Sequence, residues 1–259
     1  MQPTDIKIRC SSLGYIMTDP RSKSEVLSET CKGHLADIMV QHKYGRIPDI
    51  QTKYTIKGNM VEEDSITLFS RVTKKMFRKN EENIKNDYIT GTPDLFTGES
   101  IYSAETIIDI KSSWDIFTFF RQHENSLNKA YYYQLQGYMW LTGAKSSMLA
   151  YCLVNTPDSL IYDEQRKLMY KMNAATSESP EFLKASEELE KSLKFDDIPL
   201  KERLITIQID RDDETIDRIK ERVMACREYM AAKYPALFEP SIILASHDSE
   251  VNATIVEQG

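Results

Sequence analysis

No stretch of this 259-residue chain is apolar for long enough to cross a bilayer. The opening MQPTDIKIRC also lacks the apolar segment of a signal peptide. No membrane partner is therefore expected, and a cytoplasmic location is. Cysteine is scarce: Cys10, Cys31, Cys152 and Cys226 lie far apart. They form no paired metal-ligand spacing, and in a chain of this size they point to reduced thiols in a cytoplasm-like compartment. Net positive charge is lacking as well. A formal charge of −7 argues against a protein held to nucleic acid by its overall charge. It leaves open a cleft that gathers carboxylates around a cation, where only local charge counts. Internal repeats and low-complexity linkers are absent, so one domain is expected over residues 1–245, followed by a polar tail at 246–259. What remains is 41% hydrophobic and 28% charged, the balance of a globular protein with a real core.

Hydrophobic spacing predicts an α/β fold. Leu27, Cys31, Leu35 and Ile38 mark a helix over 22–42, and Val61, Leu68, Val72 and Met76 mark a second over about 59–78. Residues 87–96 and 105–113 read as two strands of an antiparallel hairpin turning near Gly98. A helix over 129–142 and a buried strand over 147–154 follow. Charged helices separated near Pro180 fill 160–194, a strand covers 204–209, and Asp212 or Asp213 caps a last helix. This order builds a mixed central sheet flanked by helices.

Four short polar signatures fall on these elements in one order: Gly58-x-x-x-Glu62, Gly91-Thr92-Pro93-Asp94, Asp109-Ile110-Lys111 and Gln134-x-x-x-Tyr138. Strand alternation sends Asp109 and Lys111 to one face and Ile108 and Ile110 to the other. A buried charge needs a partner, and a metal ion or a phosphate would supply one. An ordinary Asp–Lys pair at a sheet edge is the plain alternative. Asp94, on the neighbouring strand, can converge on Asp109. Two carboxylates so placed repel unless one is protonated or a cation lies between them, and Mg²⁺ or Mn²⁺ suits oxygen ligands. Helical phase selects Glu62 over Glu63 as a third carboxylate, since Glu62 shares a face with Ile66 and Phe69. Gln134 and Tyr138, at i and i+4, project together toward a phosphate, a base or the carboxylates, or else border an aromatic core stripe. The segment Lys74-Lys75-Met76-Phe77-Arg78-Lys79 carries four positive charges in six residues, as a solvated helix end or a phosphate contact.

Together these signatures resemble the PD-(D/E)xK nuclease superfamily, and within it the RecB-like and lambda-exonuclease-like (YqaJ) branch of phage-type recombination exonucleases. The likeness spans roughly residues 57–155, with weaker similarity at Ser11-Ser12 and at Leu153-Val154-Asn155-Thr156-Pro157. It implies a restriction-endonuclease-like core with helical additions at both ends, in a bacterial cell or phage-infected host. It also implies Mg²⁺-dependent DNA hydrolysis, with Mn²⁺ able to substitute. Glu62, Asp94, Asp109 and the Ile110 carbonyl would hold metal, and Lys111 would act on the attacking water or the phosphate. Gln134 and Tyr138 would position the scissile strand. Ser11, Ser12, Lys74, Lys75, Arg78 and Ser112 would contact DNA. Other expectations from the resemblance are a dsDNA exonuclease activity in recombination or repair, a single-strand annealing recombinase as partner and a ring-shaped homo-oligomer. An endonuclease, or a non-catalytic DNA-binding protein that keeps the fold, is the alternative. The cysteine spacing departs from that of the iron–sulfur members, so no cluster is expected. His34 is read as a hydrogen-bonded structural histidine.

Overall fold

The computed structural model describes residues 5–48, 51–123, 127–174 and 176–235. The polar tail expected at 246–259 lies outside them. In chain order, the elements are β1 (Ile8–Arg9), α1 (Leu13–Ile16), α2 (Glu29–Tyr44), α3 (Lys53–Met60), α4 (Glu62–Thr73), β2 (Ile84–Lys85), β3 (Ile89–Gly91), β4 (Leu95–Thr97) and β5 (Thr106–Ser112). They continue with α5 (Ile116–Phe120), α6 (Lys129–Thr142), β6 (Ser146–Cys152), α7 (Asp158–Met172), α8 (Pro180–Leu193), β7 (Leu204–Asp210) and α9 (Asp213–Lys233). Among the described residues no helix is long and apolar enough to cross a membrane.

The larger sheet runs β4-β5-β6-β7, with β5 and β6 parallel and both outer pairings antiparallel. Its two faces are covered differently. Ile108 and Ile110 of β5 pack with Ala150 and Cys152 against Ile66, Leu68 and Phe69 of α4. Ile107, Leu149 and Tyr151 belong to the opposite cluster, with Leu135, Tyr138 and Met139 of α6. The period-2 side-chain alternation of β5 thus sends Asp109 and Lys111 to the α6 side. A smaller sheet, β1-β3-β2, stands beside it.

Three predicted elements differ from the structure. The helix expected at 22–42 starts only at Glu29, where the Ser28 hydroxyl accepts the Cys31 N–H as an N-cap. The helix expected at 59–78 is two helices. A Thr52–Thr55 capping box starts α3 early, and the break at Val61 falls inside Gly58-x-x-x-Glu62, so Glu62 opens α4. Its end comes at Thr73, because Lys74 turns left-handed at φ 57°. Met76, expected in the core stripe, is 89% exposed. The strand expected at 87–96 splits at Thr92–Asp94 into β3 and β4, which belong to different sheets. Pro93 has no N–H to donate to a ladder. The crossing is held instead by Asn80, whose amide N–H groups donate to Asp94 O at 2.8 Å and Pro93 O at 2.9 Å. His34 also departs from expectation. It stacks on Tyr15 at 4.8 Å, and its buried Nε2 has no hydrogen-bond partner among the described residues.

Candidate active site

The break at Pro93 gives Asp94 its place. Because β4 pairs with β5 only from Leu95 opposite Ile108, the edge of β5 beyond Ile108 is left open. The Asp94 carboxylate stands in for the missing strand: its Oδ2 accepts the Ile110 N–H at 2.7 Å. In antiparallel geometry one residue directs both its N–H and its C=O to the same edge, so the Ile110 carbonyl also faces Asp94.

Asp109 is 1% exposed and held from the α6 side. Gln134 Nε2 donates to its Oδ1 at 3.0 Å and also to the Tyr138 phenol oxygen at 3.0 Å. Tyr138 in turn donates to Thr92 O at 3.3 Å. The i, i+4 spacing of Gln134 and Tyr138 is what allows one amide to reach both. Tyr138 approaches closely only because position 91 is glycine. A Cβ there would lie 2.6 Å from Tyr138 Cε1 and 2.9 Å from Cys10 Sγ. The other oxygen, Asp109 Oδ2, lies 2.7 Å from Lys111 Nζ. That contact is a close ion pair without hydrogen-bond alignment, so this buried oxygen keeps lone-pair capacity to spare.

Electrostatics follow from this crowding. Burial, and then the charge of Asp109, push the Asp94 carboxyl up to about 7. Burial works against the Lys111 cation, but the Asp109 charge outweighs it and the pKa rises. Lys111 also lies over the Tyr131 ring at 4.9 Å. The Tyr138 phenol is raised by burial and by Asp109.

One cleft of about 530 Å³ is lined by Gly58, Glu62, Asp94, Asp109, Ile110, Lys111, Ser112 and Gln134, together with Tyr54, Trp114, Tyr131 and Tyr151. The structure therefore brings seven sequence-predicted site residues together: Glu62, Asp94, Asp109, Ile110, Lys111, Ser112 and Gln134. Tyr138 stands one step behind, against a separate polar groove that also holds Arg9, Ser11 and Thr92. Ser12, Lys74, Lys75 and Arg78 line neither. Within the basic segment it is Lys79 that reaches the site, pairing with Glu62 at 2.6 Å. Sequence reasoning missed Lys79, Trp114 and Tyr151. Tyr151 lies opposite Lys111 in the β5–β6 register, a pairing that no local pattern reveals. Tyr131 also lines the cleft, three residues before Gln134 on the same helix.

Could these residues hold a divalent cation? Two carboxylates line the cleft, Asp109 buried and Asp94 half-buried, the second raised by burial and by its neighbour's charge and the first with an unaligned oxygen. This hard-oxygen donor set fits Mg²⁺ or Mn²⁺. Among the described residues no three His, Cys, Asp or Glu side chains form a cage by themselves. A cation here would complete its shell with the Ile110 carbonyl, with Glu62 once freed from Lys79, or with water, which Mg²⁺ commonly retains. The four cysteines are all buried and free. Cys31 and Cys226 lie with sulfurs 3.6 Å apart, Cys10 behind Gly91, and Cys152 on β6.

A mixed sheet whose parallel central strand presents Asp-x-Lys toward a Gln-x-x-x-Tyr helix, beside a second aspartate, defines the PD-(D/E)xK nuclease class. No family profile matches the sequence, nor does any curated protein. Among solved structures, the chain is 31% identical to a phage-related exonuclease from Haemophilus somnus 129PT, with a TM-score of 0.68 over 90% of this chain and 96% of that one. The chain belongs to this phage-type exonuclease family. An alkaline exonuclease from Laribacter hongkongensis shares the fold at 15% identity and a TM-score of 0.59, over 90% of this chain and 91% of that one. The same enzyme in complex with dAMP matches at 16% identity and a TM-score of 0.56, over 89% and 94%.

Proposed function

We propose that this chain is a Mg²⁺-dependent deoxyribonuclease that hydrolyses duplex DNA from an end, in recombination or repair. The observation that carries this reading is the convergence of half-buried Asp94 and buried Asp109 with Lys111 at the wall of one cleft. Asp94, Asp109, the Ile110 carbonyl and Glu62 are the residues that would hold the cation. When bound, the cation neutralises charge developing on the scissile phosphate and makes water a better nucleophile. The chain's own residues do the rest. Lys111, kept cationic by Asp109, offers its ammonium to the phosphate. Gln134 fixes the Asp109 carboxylate through Oδ1, and Tyr138 fixes Gln134. Lys79 holds Glu62 at the cleft edge. In the adjoining groove Arg9, Ser11 and Thr92 offer polar groups to a neighbouring phosphate, beside Tyr138. A strand-annealing recombinase as partner and a ring-shaped homo-oligomer accompany this reading through the family likeness.

The test is degradation of end-labelled linear duplex DNA with Mg²⁺ or Mn²⁺ by wild type, Asp109→Ala and Lys111→Ala. Both variants should lose about 10²–10³-fold or more in rate, the scale of removing a group that stabilises transition-state charge. Equal rates for all three would remove the site. Circular duplex cut as fast as linear would reassign the activity to an endonuclease.

A further inference from the structure

Behind the cleft wall, α3 carries a lysine that the proposed chemistry does not use. Lys57 is 0% exposed. Its ammonium donates to Ser113 O at 2.7 Å and Trp114 O at 3.1 Å, and it forms no ion pair among the described residues. The Trp114 and Phe195 rings lie 5.7 and 5.2 Å away. Burying a cation without a counter-charge is costly, and a methionine would fill the same space without that cost. The two carbonyls belong to the residues that leave the catalytic strand. Ser113 already extends the ladder by donating its N–H to Cys152 O at 2.9 Å. One turn earlier on α3, Lys53 stands 4.5 Å over the Trp114 ring and is paired with Glu164 at 2.8 Å. Between them Tyr54 meets that ring edge-on at 6.0 Å. The helix that leads into Gly58 and Glu62 thus grips the exit of β5 from three positions.

We propose that Lys57 is a positioning residue for hydrolysis: its ammonium clamps the Ser113 and Trp114 carbonyls and so fixes the strand bearing Asp109 and Lys111 against the helix leading to Glu62. This rests on the nuclease reading above. Lys57 meets no substrate, so its loss slows turnover and leaves DNA affinity alone.

The experiment compares wild type, Lys111→Ala, Lys57→Met and Lys57→Gln in steady-state hydrolysis of linear duplex with Mg²⁺. DNA binding is measured with Ca²⁺ in place of Mg²⁺, and the folded fraction by circular dichroism. Lys57→Met should lower kcat by about 10–100-fold, as expected when reacting groups shift by a fraction of their contact distance. KM and the DNA Kd should stay within about twofold of wild type, well below a tenfold change in affinity. Lys57→Gln, shorter by one atom but still an N–H donor, should recover part of the loss. If Lys57→Met does not fold, the kcat and KM of Lys57→Gln decide. A kcat within twofold of wild type, a loss that only tracks the folded fraction, or unfolding of both variants would overturn the proposal and leave Lys57 a scaffold residue. An inactive wild type or an active Lys111→Ala would instead strike the nuclease reading itself.

Discussion

The cleft and the layer directly behind it each hold a largely buried lysine near the end of the same strand, and they offset the cost in opposite ways. In the cleft, Lys111 meets a carboxylate, with Asp94 close by and a tyrosine ring beneath it. Its charge is strengthened. Behind the wall, Lys57 meets two carbonyl dipoles and two rings among the described residues. Burial pushes its ammonium down to about 7, with the charge of Asp115 working the other way. Counter-charge and dipoles are not interchangeable supports. A group that must act on an anion keeps its proton when ringed by carboxylates. A group that must only hold backbone in place can be satisfied by carbonyls, whether charged or neutral, because both forms donate.

The comparison can be broken most directly by pH. Asp94 titrates near 7 in the folded chain and near 3.8 when unfolded. Its contribution to stability is complete below about 3.8 and is lost as pH rises through about 7. Lys57 is depressed from 10.5 to about 7, so its penalty is present below 7 and is relieved as pH rises from 7 toward 10.5. Each effect is on the order of a few kcal/mol. From these two groups, the stability of the chain in EDTA should pass through a minimum near pH 7. Mg²⁺ held as proposed would compete with the proton at Asp94 and leave Lys57 untouched. The rise in Tm on adding Mg²⁺ should therefore be larger at pH 8 than at pH 5.5, and Lys57→Met should flatten only the alkaline limb. An equal Mg²⁺ effect at both pH values would disconnect Asp94 from the cation.

The two sides of the wall were not equally legible in the sequence. Alternation in Ile108-Asp109-Ile110-Lys111, the i, i+4 spacing of Gln134 and Tyr138, and the helical phase of Glu62 are local patterns, and each put its side chain on the correct face. The mixed sheet followed from element order. What stayed hidden depends on partners distant in the chain. Pro93 falls inside the single strand expected at 87–96, whereas it separates two sheets, because the choice depends on what β1 and β5 offer on either side. Lys57 falls outside the helix expected at 59–78, and no local pattern marks it. Only the packing of α3 against the end of β5 shows that it is inside. The same holds for Lys79, whose partner Glu62 lies 17 residues away.

A smaller effect comes from the back of the cleft. Gly91→Ala would place a methyl against the Tyr138 ring and Cys10 Sγ, both buried, where neither can move without disturbing α6. Overpacking of this kind costs about 1–3 kcal/mol. The displaced Tyr138 would loosen its bond to Gln134, and with it the hold on Asp109. Chemical denaturation should show the loss of stability, and the hydrolysis rate should fall with it. Full activity in a destabilised Gly91→Ala would show that Tyr138 supports packing and not the carboxylate.

The front of the cleft should respond to the same substitution with the opposite sign, and by less. Gly58 lies inside α3, and a Cβ built there meets no atom within 4 Å. Nothing in the packing requires glycine at this position. Alanine removes backbone freedom from the unfolded chain and favours the helix by about 0.5–1 kcal/mol. For a chain of this size that corresponds to a rise in Tm of roughly 1–4 °C. The added methyl would border the cleft beside Glu62, so the hydrolysis rate reports separately on whether substrate uses that space. A more stable but slower Gly58→Ala would mean that the glycine is kept for what passes through the cleft. A lower Tm would mean that α3 needs its flexibility where it meets α4, and would remove the distinction between an open front and a close-packed back.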